Sequence, residues 1–170
     1  LLALTRRTAG PRPRIYLSAG IHGDEPASPG ALLAMLEAGR FDDRAVWFLC
    51  PLLNPAGFVR RTRENGDGLD LNRDYKALRS LEIQAHARWL QRQPNFDLAL
   101  CLHEDWEANG YYLYELKPTA RASLAPPMIG AVARVCLIET AAVIDGRNVA
   151  EPGIIRPIND PLLRETSPES

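Results

Sequence analysis

Apolar residues fall in short runs of two kinds, separated by polar stretches rich in glycine and proline. "RIYLSAG" (14–20) and "AVWFLCPLL" (45–53) are continuous apolar runs of strand length, the second ended by Pro51, and they predict buried strands. "FDLALCL" (96–102) predicts a third buried strand, and the alternation in "YYLYEL" (111–116) predicts a fourth. Between them the period changes. "ASPGALLAMLEAG" (27–39) predicts a helix with Ser28 as N-cap, Pro29 at the first helical position and Gly39 past the end. "SLEIQAHARWLQRQ" (80–93) predicts a second, with Ser80 as N-cap and Ile83, Ala87 and Leu90 facing inward; His86 shares that face and reads as core packing. "MIGAVARV" (128–135) predicts another. "NPAGF" (54–58) reads as a turn, and residues 60–75 are too charged and glycine-rich for regular structure. Strands separated by helices imply an α/β domain with a largely parallel sheet, in which function gathers at the carboxyl ends of the strands.

Composition narrows this little. The chain has 170 residues, enough for one domain with a sizeable core, so residues 1–170 are expected to form a single catalytic domain. A net charge of -1 gives no reason to expect nucleic acid or an anionic membrane as partner. No apolar run approaches the roughly 20 residues of a membrane-spanning helix, and the start, "LLALTRR", has no signal-peptide pattern and no methionine. Cysteines 50, 101 and 136 are odd in number and widely spaced, which argues against a disulfide framework. Cys50 and Cys101 lie in apolar runs and are expected to be small buried thiols of a reducing compartment, the cytoplasm. Nothing in the sequence sets an oligomeric state.

Polar residues at strand ends carry the chemistry. "AGIHGDEPASPG" (19–30) puts His22 and Glu25 directly after the first strand, and His103 and Glu104 follow the third. Two strand ends in one sheet can converge, and two imidazoles with one carboxylate form a catalytic zinc set whose fourth position is left for water. Gly23 and Pro26 suit a tight loop that aims both side chains inward. In "RTRENGDGLDLNRDY" (61–75), Arg61, Arg63 and Arg73, with Arg60 just before, surround Asn72. Arginine holds a carboxylate in two-pronged geometry, and asparagine adds donors.

These motifs resemble the zinc carboxypeptidases related to carboxypeptidase A, whose superfamily includes the succinylglutamate desuccinylase and aspartoacylase relatives. "HGDE" is similar to their HxxE zinc motif, "NPAGF" to their asparagine-proline turn, "DLNRD" to their carboxylate-gripping asparagine-arginine pair, and "LHED" to the segment carrying the third ligand. All four occur in the family's order. The resemblance implies a three-layer α/β fold, a mixed, mostly parallel sheet with helices on both faces, incomplete at the termini. It implies one zinc per chain on His22, Glu25 and His103, and an Asp70 carboxylate that accepts a hydrogen bond from the far nitrogen of His22. Asn72 and Arg73 would grip the substrate carboxylate, and Arg63, or failing it Arg61, would steady the oxyanion. Asn54 shapes the turn. Glu165, in "ETSP", is similar to the general base of bacterial relatives, although an apolar strand does not precede it; Glu104 is the rival acid for that role, but it adjoins a ligand and would rather orient it.

The activity implied is metal-assisted removal of a C-terminal residue from a peptide. The second reading is an N-acyl amino acid deacylase of the aspartoacylase type, since both substrates present a free carboxylate beside an amide. The third is a zinc- or peptide-binding module without catalysis.

Overall fold

The computed structural model describes residues 1–116 and 122–156. The chain forms two compact units, Leu1–Glu104 and a second beginning at Asp105. The first is built on strands β1 (Leu4–Arg6), β2 (Arg14–Ser18), β3 (Val46–Cys50) and β4 (Leu98–Cys101) in the order β1-β3-β2-β4. β2 is parallel to both neighbours and β1 is antiparallel to β3, so the sheet is mixed and mostly parallel, as expected. β1 had no signal in the sequence.

Strand alternation sends successive side chains to opposite faces. Tyr16, Phe48 and Cys50 pack with Ile83 of helix α3 (Leu81–Leu90) on one face. Leu17 and Leu49 pack with Leu32 of helix α1 (Ala27–Glu37) and with Phe41 on the other. The sheet thus lies between α1 and α3. Ser80 caps α3 as expected, its Oγ accepting from Ile83 N at 3.3 Å.

Four expectations need correction. Ser28 does not cap α1. The helix starts two residues earlier, behind Pro26, and the Ala27 N–H donates to the Glu104 carboxylate from beyond β4. "NPAGF" is not a free turn but the start of helix α2 (Pro55–Arg60), capped by Asn54 with Pro55 in its first turn. Cys50 is fully buried, but Cys101 is exposed, because β4 is an outer strand of the sheet among the described residues. "YYLYEL" contributes a strand of only two residues.

That strand, β5 (Leu113–Tyr114), belongs to the second unit and pairs in parallel with β8 (Ile154–Ile155). β6 (Val143–Ile144) and β7 (Arg147–Asn148) form a hairpin on Asp145-Gly146, both at positive φ as a tight two-residue turn requires. Helix α4 (Ala125–Val132) is capped by Glu115, which accepts from Leu124 N at 2.8 Å and Ala125 N at 3.2 Å. Among the described residues no helix is long and apolar enough to cross a membrane.

Candidate metal centre

The loop after β2 carries the first two site residues, and backbone contacts fix its path. It runs beside the segment after β3, with Asn54 N donating to Gly20 O at 2.8 Å and Leu53 N to Ala19 O at 3.1 Å. Gly23 lies so close to the start of α2 that a Cβ there would sit 1.9 Å from the Gly57 carbonyl carbon, so no side chain fits. Asn54, with no exposed surface, joins three segments. Its Oδ1 accepts from Gly57 N at 2.9 Å, and its Nδ2 donates to Ile21 O at 3.3 Å and Arg63 O at 3.2 Å. It therefore holds the residue before His22, the start of α2 and the arginine loop together.

The structure brings His22, Glu25 and His103 to one point. His22 Nδ1 is 2.6 Å from Glu25 Oε1, His103 Nδ1 is 3.0 Å from Glu25 Oε2, and the ring centroids are 5.0 Å apart. One ligand atom from each residue lies within 4.8 Å of the others. His22 and Glu25 are buried, whereas the His103 side chain is 35% exposed, which leaves the cluster open on one side. Burial pushes the Glu25 carboxyl up, but hydrogen bonds from His103 and His22 outweigh it and bring the pKa down to about 2. Glu25 is therefore an anion at neutral pH.

A divalent metal fits this set. Two imidazole nitrogens and an ionised carboxylate face each other, which is the donor chemistry of a three-ligand catalytic site. His22 Nε2 is buried without a hydrogen-bond partner, and Asp70 Oδ1 faces it at 3.5 Å. A proton on Nε2 leaves Nδ1 free as the ligand atom. Asp70 thus faces the far nitrogen of His22, but the hydrogen bond expected between them is not formed. Asp70 Oδ1 is engaged by Asn72 N at 2.9 Å and Arg73 N at 3.3 Å.

Asp70 is the hub of the arginine loop. Its Oδ2 accepts from Arg63 Nε at 2.9 Å. Partial burial raises its pKa, and the hydrogen bond and charge of Arg63 more than reverse that, for a net lowering. Asn72 lines a cavity of about 230 Å³ together with His103. Arg73 is exposed beside it. Arg61 closes α2 in a left-handed conformation (φ 55°) and is exposed. Glu104 is bound at both ends, its N–H to Glu25 Oε2 at 3.2 Å and its carboxylate to α1. Glu165 lies outside the described residues.

Two features went unread in the sequence. The Glu104 cap on α1 joins residues far apart in the chain. The Asn-Pro pair at 54–55 did carry a helix-start signal, an N-cap residue followed by proline at the first helical position.

The Succinylglutamate desuccinylase/Aspartoacylase catalytic domain family matches residues 11–145. Among solved structures, a candidate metallopeptidase of Shewanella amazonensis SB2B is 28% identical with a TM-score of 0.76, over 93% of this chain and 65% of that one. Another, from Shewanella denitrificans OS217, is 28% identical with a TM-score of 0.73, over 91% of this chain and 60% of that one. A Pseudomonas aeruginosa metallo-carboxypeptidase, solved with (2-guanidinoethylmercapto)succinic acid, is 26% identical with a TM-score of 0.53, over 61% of this chain and 31% of that one. The chain thus spans roughly three fifths of the length of the two Shewanella structures. No curated protein matches it.

Proposed function

The chain belongs to the succinylglutamate desuccinylase/aspartoacylase catalytic-domain family, and from that premise we propose that it provides the metal centre of a zinc hydrolase. The enzyme cleaves an amide bond whose amine side carries a free carboxylate. The observation that carries this reading is the meeting of His22, Glu25 and His103 beside a loop that Asp70 ties to Asn72 and Arg73.

Zinc held by His22, Glu25 and His103 would supply Lewis acidity and bring the pKa of a bound water toward neutrality. The chain's own residues do the rest. Glu25, already an anion in the metal-free protein, brings one negative charge to the ligand set. Asp70 directs the His22 tautomer. Asn72 and Arg73 grip the substrate carboxylate by charge-assisted hydrogen bonds. Arg63, its Nε engaged by Asp70, offers its remaining N–H groups to the charge that develops on the carbonyl oxygen. Glu165 takes the proton from the attacking water.

The leading substrate is the C-terminal bond of a peptide. The candidate metallopeptidases and the metallo-carboxypeptidase to which the chain is similar support this reading. The deacylase reading is second, and the family match favours it. The zinc-loaded protein should be assayed on N-blocked dipeptides, their C-terminal amides, and N-acetyl and N-succinyl amino acids. Faster turnover of the dipeptides supports the peptidase. Faster turnover of the acyl amino acids gives the site to the deacylase, and no turnover of any compound contradicts the hydrolase.

A further inference from the structure

The carboxylate-gripping pair sits on an irregular loop, and an irregular loop grips only as well as it is fixed. Asp70 fastens that loop to Arg63. Asp74 fastens it to the start of α3, its Oδ2 accepting from Ser80 N and Ser80 Oγ at 2.7 Å each. Neither contact reaches the sheet. A third one does. His86, on α3, lies between Tyr16 of β2 and Tyr75 of the short 3-10 turn Asp74–Lys76. Tyr16 Oη is 2.7 Å from His86 Nε2, and Tyr75 Oη is 2.5 Å from His86 Nδ1. The imidazole is also stacked against Tyr16 and Trp89, at centroid distances of 6.0 and 6.2 Å.

The chemistry of this chain is directional. A neutral imidazole has one N–H and one acceptor nitrogen, so one tyrosine must donate to it and the other must accept from it. Both ring nitrogens are engaged, and the stacking fixes the ring plane. Burial favours the neutral form and lowers the His86 pKa to about 4. The two ends matter for their neighbours. Tyr16 lies on the strand that leads into the His22 loop, and Tyr75 is two residues past Arg73. All three side chains border the cavity shared by Asn72 and His103.

We propose that His86 is a positioning residue: by bridging Tyr16 and Tyr75 it holds the Asn72–Arg73 loop to the strand that leads into the metal centre, and so sets how tightly a substrate carboxylate is held. This rests on the function proposed above, in which Asn72 and Arg73 bind that carboxylate.

Two measurements test it. The first needs no substrate: amide hydrogen exchange of segment 70–76 in the wild type, His86→Phe and Tyr75→Phe. His86→Phe keeps an aromatic ring in the stack and removes both hydrogen bonds. Tyr75→Phe removes one oxygen from a residue 36% exposed, and serves if the His86 variant fails to fold. Exchange in 70–76 should quicken in both variants while segment 28–37 stays unchanged. Unchanged exchange in 70–76 overturns the brace. The second measurement compares an N-blocked dipeptide with its C-terminal amide. Loss of one such hydrogen bond raises KM for the free acid about fivefold, with kcat nearly constant and the amide unaffected. His86→Gln, which carries one donor and one acceptor, should recover part of the loss. Equal losses on acid and amide overturn the positioning role. If the wild type hydrolyses neither compound, the peptidase reading fails, and the exchange experiment still decides the brace.

Discussion

Asn54 offers a quantitative test of how the loops around the metal centre are held. Its side chain is wholly buried and makes three hydrogen bonds, to Gly57 N, Ile21 O and Arg63 O. Asn54→Ala removes the α2 cap, at a cost of about 1 kcal/mol. It also strips two carbonyls of their donor. The one at Ile21 is buried and the one at Arg63 partly so, and about 1 kcal/mol each is the low end for a buried acceptor left without a partner. The expected loss is about 3 kcal/mol, or a fall of about 12 °C or more in Tm for a unit of this size. Asn54→Ser keeps a good cap and loses only the two donors, so it should cost about 2 kcal/mol. Urea unfolding at pH 7 reads both variants. An Asn54→Ala protein within about 1 kcal/mol of wild type would refute the reasoning, because the cap alone would account for that. Equal losses in the serine and alanine variants would show that the cap contributes nothing separable.

Other expectations follow from single residues. Arg73→Ala should weaken substrates with a free terminal carboxylate far more than their amides, measured as the ratio of kcat/KM for the two; equal loss on both removes the gripping role. Because burial lowers the folded pKa of His86 to about 4, below its unfolded value of about 6.5, its contribution to stability is complete above pH 6.5 and declines as pH falls toward 4. Denaturant midpoints taken across that window should fall in the wild type, and less so in His86→Phe; parallel profiles would contradict a buried neutral imidazole. Cys101 and Cys136 are exposed, whereas Cys50 is buried and its thiol is pushed up to about 11 by that burial. A thiol reagent should therefore label Cys101 and Cys136 in the native protein and Cys50 only after unfolding, as peptide mapping would show.

The elements that were legible in the sequence are those whose local signals and tertiary roles agree. β2 and β3 are continuous apolar runs because both of their faces are covered, and α3 carries its own cap in Ser80. The meeting of His22, Glu25 and His103 was legible because polar residues placed directly after two apolar runs have little reason to be there unless they converge. What failed depended on neighbours in space. Cys101 sits in an apolar run, yet an outer strand leaves it exposed. The start of α1 is capped by an acid 77 residues away, which no local pattern reveals. His86 reads as core from its helical position, and it is core, but its two tyrosine partners come from a strand and a loop that only the fold brings together.

The direct test of the central claim is the metal content of the purified protein after dialysis against zinc, measured beside His22→Ala and His103→Ala by elemental analysis. About one zinc per wild-type chain, lost from each folded variant, is the result expected of three ligands sharing one ion. Zinc retained at wild-type level in either variant would contradict the assignment, and with it the hydrolase built upon it.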